Sequence, residues 1–139
     1  MRGRSEKLEG RRKGMGQIKR YKDLLVWQKS MNLVTLVYEK SRSFPKEDAY
    51  GLTSQIRRCA VSIPSNIAEG YGRRTSGDYI RFLRMSSGSL YELQTQMEIA
   101  KNLCYLPESE FQKVEVYSIE LEKMLNSMIS KLLSATNKC

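Results

Sequence analysis

Six arginines lie in a long stretch of the chain that contains no lysine. The guanidinium group of arginine is planar and binds a phosphate or carboxylate through two parallel hydrogen bonds, which the ammonium group of lysine cannot do. Tyr71 and Tyr79 lie in the same stretch, which therefore predicts a basic, partly aromatic surface for nucleic-acid phosphates near a turn between two helices. The candidate binding residues between Lys46 and Lys101 are Arg57, Arg58, Arg73, Arg74, Arg81 and Arg84.

Carboxylates offer a second explanation for these arginines. Glu69, Asp78 or the acidic residues of a neighbouring subunit could pair with some of them. We expect this structural role for Arg57, Arg58 and Arg73. We expect phosphate contact for Arg74, Arg81 and Arg84.

A further basic cluster precedes the first predicted helix. Residues 1–20 hold eight basic and two acidic side chains, so they carry +6 of the net charge of +9. They offer almost nothing apolar to bury, which predicts a basic arm that is disordered when free. Arg11, Arg12 and Lys13 are its candidate phosphate contacts. A solubilising tail, or a start codon assigned too far upstream, would explain the same composition.

Side chains suited to catalysis are scarce. The chain has no histidine, and Cys59, Cys104 and Cys139 are too widely spaced for a metal knuckle or a disulfide framework. Glu69 lies one turn after Asn66 and could act as a general base, but no nucleophile or second acid accompanies it. We expect both residues to join a hydrogen-bond network at a helix end. The sequence thus predicts a non-enzymatic protein without a metal, a cofactor or a small-molecule substrate.

Hydropathy bears on the location of the protein. No apolar run approaches the roughly 18 residues that a membrane span requires. The basic N-terminus is not followed by the apolar segment of a secretory signal. These observations predict a cytoplasmic protein with no membrane partner.

Apolar residues recur at helical spacing from Tyr21 onward, without the alternation typical of strands. The pattern predicts an all-α fold with helices over about 23–41, 46–70, 76–104 and 107–134. Because the connections are short, the helices should form an antiparallel up-down-up-down four-helix bundle. Residues 21–139 would then be one domain that follows the arm of residues 1–20.

The same spacing predicts which helix faces are buried. The third helix keeps an unbroken heptad spacing, and the small residues 86–89 within it favour the close approach of a neighbouring helix. The predicted stripe of the first helix is Leu24, Trp27, Met31, Val34 and Tyr38, widened by Leu33 and Val37. That of the third helix is Tyr79, Leu83, Ser86, Leu90, Leu93, Met97, Ala100 and Cys104.

Prolines and glycines mark the second helix. Pro45 suits its first turn, where the missing N–H costs nothing. The apolar stripe carries through Pro64, which predicts a continuous helix with a kink there. Gly70 and Gly72 are predicted to end the helix as C-cap residues able to adopt positive φ.

Several strings in the second and third helices match a known pattern. They are Phe44-Pro45, Tyr50-Gly51-Leu52, Gln55-Ile56-Arg57-Arg58, Val61-Ser62-Ile63-Pro64-Ser65-Asn66-Ile67-Ala68-Glu69-Gly70, Gly72-Arg73, Arg81-Phe82-Leu83, Gly88-Ser89-Leu90 and Glu92-Leu93. Over roughly residues 21–133 the chain resembles the proteins encoded in intervening sequences of bacterial 23S ribosomal RNA genes. The basic arm lies outside this resemblance.

The resemblance implies a four-helix bundle without an established enzymatic activity. The family is similar to the accessory proteins of diversity-generating retroelements, and both groups are associated with barrel-like pentamers that have a basic surface. A homopentamer that binds the backbone of RNA or DNA is therefore the first expectation, because five copies would strengthen weak contacts. The alternative is an accessory protein that docks a reverse transcriptase and its RNA template.

Overall fold

The computed structural model describes residues 17–137, and these residues form four α-helices without a strand. The all-α four-helix fold predicted from the apolar spacing is confirmed. Short 3-10 turns at Tyr21–Asp23 and Lys46–Asp48 precede the first and second helices. The helices are α1 (Leu25–Ser41), α2 (Leu52–Tyr71), α3 (Ser76–Asn102) and α4 (Glu108–Asn137).

Polar contacts between neighbouring helices show how the helices run. In the pairs α2–α3 and α1–α4 the residue numbers rise along one helix while they fall along the other, so the two helices of each pair are antiparallel. Between α2 and α3 these contacts join Cys59 with Ser89 and Ile63 with Ser86, and between α1 and α4 they join Lys29 with Glu120 and Lys40 with Glu110. Among residues 17–137, no helix has the length and apolarity of a membrane span.

The buried face of α1 differs from the predicted stripe. Met31 and Tyr38 are 39% and 38% exposed, whereas Ser30, which lies outside the predicted stripe, is completely buried. Leu33 and Val37 are buried as predicted. Apolar residues surround most of this helix, so their spacing alone does not select one face. The hydroxyl of Ser30 donates to the carbonyl of Trp27, one turn earlier, which satisfies the polar group and lets it enter the core.

The start of α2 was also predicted wrongly. The helix begins at Leu52, six residues later than the predicted start, because the chain first forms the turn Lys46–Asp48. A carboxylate oxygen of Asp48 accepts a hydrogen bond from the backbone N–H of Leu52 at 3.1 Å. The other oxygen accepts from the hydroxyl of Tyr105 at 2.7 Å, and these two bonds lower the pKa of Asp48. Asp48 thus ties the start of α2 to the connection between α3 and α4.

The end of α2 is built on close packing and not on a left-handed C-cap. Gly70 lies inside the helix and is buried, and a Cβ atom there would lie 2.7 Å from the Cβ of Phe82. Gly72 is the C-cap residue, as predicted, but its φ is −82°, so the cap does not use a positive φ. Gly70 does not have the predicted role. Within the predicted group of small residues Gly88 is exposed, but Ser86 is buried and contacts Ile63 of α2. The predicted close approach therefore occurs at Ser86, and Gly70 adds a second one.

The heptad of α3 is largely confirmed, because its six central positions from Leu83 to Ala100 are buried. Cys104 lies beyond the helix end in an exposed turn with a φ of 63°. Thr75 caps the start of the helix by accepting a hydrogen bond from the N–H of Asp78. The predicted continuity of α2 through Pro64 is also confirmed.

Two neighbouring serines of α3 allow a matched test of this packing. The buried hydroxyl of Ser86 donates to the carbonyl of Ile63 at 2.9 Å, whereas the buried hydroxyl of Ser87 has no partner. We expect Ser86→Ala to lower the free energy of unfolding by about 1 kcal/mol, and Ser87→Ala to leave it unchanged or slightly raised. Urea denaturation measures both. Equal losses in the two variants would contradict the assigned hydrogen bond.

Candidate nucleic-acid interface

The turn between α2 and α3 brings two of the predicted arginines onto one aromatic ring. The guanidinium carbon of Arg73 lies 4.5 Å from the ring centroid of Phe82, and that of Arg81 lies 4.7 Å from the same centroid. Phe82 is buried because Gly70 lets α3 approach α2 closely. Such cation–π contacts hold the guanidinium groups in place at the surface.

Each of these two arginines also lies beside one carboxylate of its own helix end. Arg73 bonds to Glu69 at 2.7 Å, and Arg81 lies 3.6 Å from Asp78. All four side chains are more than a third exposed, so these ion pairs contribute little to stability. The geometry agrees with the structural role expected for Arg73, and the looser pair leaves the guanidinium of Arg81 more available for phosphate.

Arg74 and Arg84 are the least engaged members of the set. Both are exposed, and neither has a carboxylate within 4 Å among residues 17–137. Arg74 lies in the turn, and Arg84 lies one turn of helix beyond Arg81 on α3. Arg74, Arg81 and Arg84 lie at the same end of the bundle. Their contact with phosphate stays a prediction.

Arg57 and Arg58 do not join this group. They lie more than three turns away along α2, a distance of about 20 Å. The Nε of Arg57 donates to Ser41 at 2.8 Å, and its guanidinium covers the ring of Tyr38, so it fastens α2 to α1. Arg58 is exposed and makes one long hydrogen bond, of 3.4 Å, to Ser54.

The other predicted site residues have separate environments. The side-chain amide of Asn66 donates to the carbonyl of Ser62 at 2.8 Å, whereas Glu69 binds Arg73, so the two residues do not bond to each other. Arg11, Arg12 and Lys13 lie outside the described residues.

The neighbouring tyrosines pack inward instead of forming a stacking surface. Tyr71 and Tyr79 contact each other edge to face, with ring centroids 6.1 Å apart, and both pack against the core. Burial, followed by the proximity of Tyr71, raises the pKa of Tyr79 to about 12. They support the turn that carries the arginines.

Basic residues from other parts of the chain lie at the same end of the bundle as the α2–α3 turn, which the sequence did not predict. The turn Tyr21–Asp23 contacts α2, and Val26 shares a groove with Lys131 and Leu132 of α4. Arg57, near the start of α2, bonds to Ser41 at the end of α1, so the start of α1 lies towards the end of α2. Through the groove at Val26, the end of α4 also lies at the end of the bundle that carries the α2–α3 turn. This arrangement adds Lys19, Arg20, Lys22 and Lys131 to the four arginines.

Charge is divided unequally along the bundle. We call the part formed by residues 17–28, 66–84 and 124–137 the basic end, which holds eight basic and three acidic side chains, a net +5. The opposite end, residues 39–58 and 92–115, holds seven basic and eight acidic side chains. Among the described residues, no cluster of three side chains is suited to hold a metal ion.

These features define a class of protein, a four-helix bundle with one strongly basic end. A family model of the 23S rRNA-intervening sequence protein matches residues 22–127, and the chain belongs to this family. The resemblance noted in the sequence is therefore confirmed. The match concerns this family and gives no support to the alternative of a retroelement accessory protein.

A solved structure shares the fold. The crystal structure of a protein of unknown function from the S23 ribosomal protein family, from Bacteroides thetaiotaomicron VPI-5482, superposes with a TM-score of 0.70 and 23% sequence identity. The alignment covers 76% of this chain and 95% of that chain. No curated protein matches the chain.

Proposed function

We propose that this protein binds the phosphate backbone of structured RNA through its basic end and that it catalyses no reaction. The observation that carries the proposal is the concentration of charge. The basic end has a net +5, and its arginines Arg74 and Arg84 have no carboxylate partner within the described chain. Each phosphate that such a surface neutralises releases counterions, which drives binding without regard to base sequence.

The basic N-terminus is part of the proposal through its charge and its point of attachment. The described chain starts at the basic end, because α1 runs from there to Ser41, which bonds to Arg57 near the start of α2. The preceding residues 1–16 carry six basic and two acidic side chains and are attached at this position. A ligand bound at the basic end would therefore be held close to Arg11, Arg12 and Lys13, which raises their effective concentration.

We further propose that the protein acts as a homo-oligomer, with five subunits as the resemblance implies. Apolar surface on the outside of the bundle supports self-association. Val116 is 64% exposed and lines a groove of about 660 Å³ between α1 and α4, together with Leu36. Native mass spectrometry gives the subunit number directly, since one chain has a mass of 16.1 kDa.

The proposed function predicts a steep dependence of RNA affinity on salt. Four phosphate contacts give a slope of about −3 in a plot of log K against log salt, which is a loss of about sixtyfold between 50 and 200 mM KCl. Fluorescence anisotropy with an RNA hairpin measures this slope. Removal of residues 1–16 should weaken binding and reduce the slope, while the basic end retains salt-dependent binding. Equal affinity of the full chain at the two salt concentrations would refute the proposal.

A further inference from the structure

A small polar pocket lies between α2 and α3, away from the arginines of the basic end. Its volume is about 230 Å³, which is below the range of pockets for drug-sized ligands and suits a smaller group. Glu92 lies eleven residues after Arg81 on α3, so the two share a helix face about 17 Å apart. The pocket is lined by Gln55, Arg58, Cys59 and Ser62 from α2 and by Glu92 and Gln96 from α3.

Opposite charges face this pocket without pairing across it. Arg58 projects from α2 and Glu92 from α3, yet they form no ion pair within 4 Å in the described chain. Their hydrogen bonds within the described chain are long, because Arg58 donates to Ser54 and Glu92 accepts from Gln96, each at 3.4 Å. The thiol of Cys59 also lies beside Glu92. The pocket thus offers a strong donor from one wall and a strong acceptor from the other.

The inner wall of the pocket holds one buried acceptor without a partner among the described residues. Gln96 is only 7% exposed, and its side-chain carbonyl has no hydrogen-bond partner. The thiol of Cys59 already donates to the carbonyl of Ser89 at 2.9 Å. Burial and then the nearby charge of Glu92 raise the pKa of Cys59 to about 12, so the thiol stays protonated at neutral pH. A ligand that fits must bring N–H groups towards Glu92.

We propose that this pocket binds a single unstacked nucleobase and that guanine fits it best. The N1–H and N2 amino groups of guanine lie side by side on one edge of the base. A carboxylate such as that of Glu92 can accept hydrogen bonds from both. The O6 and N7 atoms of the same base accept two hydrogen bonds from an arginine such as Arg58. No other standard base has both features. This inference rests on the proposed function, because it adds a base preference to backbone binding.

The position of the pocket agrees with a single strand that continues from the basic end. A strand whose phosphates contact Arg81 and Arg84 can follow the surface of α3 for three turns to Glu92. Proteins read RNA sequence mainly in loops and single strands, where unstacked bases are accessible. A bulge or loop next to a helical stem would therefore present one ligand to both sites.

Nucleotide titrations of the full-length ¹⁵N-labelled protein test the pocket without any RNA. We expect GMP to shift the backbone amides of residues 55–62 and 89–96 and to bind about fivefold more tightly, or better, than AMP, CMP and UMP. Inosine monophosphate lacks the N2 amino group and should lose part of this preference. All these nucleotides carry the same phosphate, so their comparison isolates the base.

Matched variants assign the preference to named side chains. Glu92→Gln and Arg58→Gln should each abolish the preference for GMP. Glu39→Gln removes an exposed carboxylate on α1 and should preserve the preference. Equal affinities for the four nucleotides, or amide shifts confined to residues 71–84, would overturn the inference. If the pocket inference fails but RNA binding still depends on salt, the proposed function stands. If GMP is preferred but RNA does not bind, only the proposed function is refuted.

Discussion

Substitution of Gly70 by alanine is expected to lower the free energy of unfolding by about 1–3 kcal/mol. The added Cβ would lie 2.7 Å from the Cβ of Phe82 and 3.3 Å from the carbonyl oxygen of Tyr79. Both atoms are close to the backbone of α3, so the two helices must separate to make room. This cost outweighs the gain of about 0.5–1 kcal/mol that alanine normally brings inside a helix.

Gly88 provides the control for this prediction. It is also a helix-interior glycine, but it is exposed and no atom lies within 4 Å of the position of an added Cβ. Gly88→Ala should therefore raise the free energy of unfolding by about 0.5–1 kcal/mol. Chemical denaturation of the two variants under the same conditions measures the difference. Stabilisation by both substitutions would show that α2 and α3 do not meet closely at Gly70.

The same contact links stability to the candidate interface. Gly70 lets Phe82 reach its buried position, and the guanidinium groups of Arg73 and Arg81 lie on the ring of Phe82. A wider spacing between the helices would move this ring and the two arginines with it. We therefore infer that the glycine serves the arrangement of the basic surface as well as the packing of the core.

Long-range features of the fold followed from apolar periodicity, and local features did not. The heptad of α3 is clear in the sequence because its spacing is unbroken over more than three heptads, and its central positions are buried. In α1, serines take buried positions through backbone hydrogen bonds, which no apolar pattern reveals. The late start of α2 follows a turn in which Asp48 bonds to Leu52, and Asp48 also bonds to Tyr105, 57 residues further along the chain. The second contact exists only in the folded chain.

The sequence predicted the kind of residue in the candidate interface, which is arginine. It did not predict which residues of the chain come together there. The absence of lysine between residues 46 and 101 identified Arg74, Arg81 and Arg84, which the structure places at one end. Arg57 belongs to the same sequence pattern but fastens α2 to α1 instead. Conversely, Lys131 joins the basic end only because α4 is antiparallel to α3. Sequence order gives no sign of this proximity.

The basic end also changes the significance of the N-terminal arm. On composition alone, residues 1–20 could be a solubilising tail without a function. Their point of attachment favours a share in binding, because the chain enters the bundle beside Arg20 and Lys22, at the basic end. A tail attached at the opposite end, which has no excess of positive charge, would not extend any basic surface.

The comparison of two charge-matched double variants tests the central claim most directly. Arg74→Gln/Arg84→Gln removes two exposed charges from the basic end, and Arg42→Gln/Lys46→Gln removes two exposed charges from the opposite end. None of the four residues pairs with a carboxylate in the described chain, so both proteins should fold.

We expect the basic-end variant to bind an RNA hairpin at least about tenfold more weakly than the original protein, with a salt slope reduced by about 1.5. The opposite-end variant should bind the hairpin as tightly as the original protein does. Equal losses of affinity in the two variants would mean that only net charge matters, and an unchanged affinity of the basic-end variant would contradict the account.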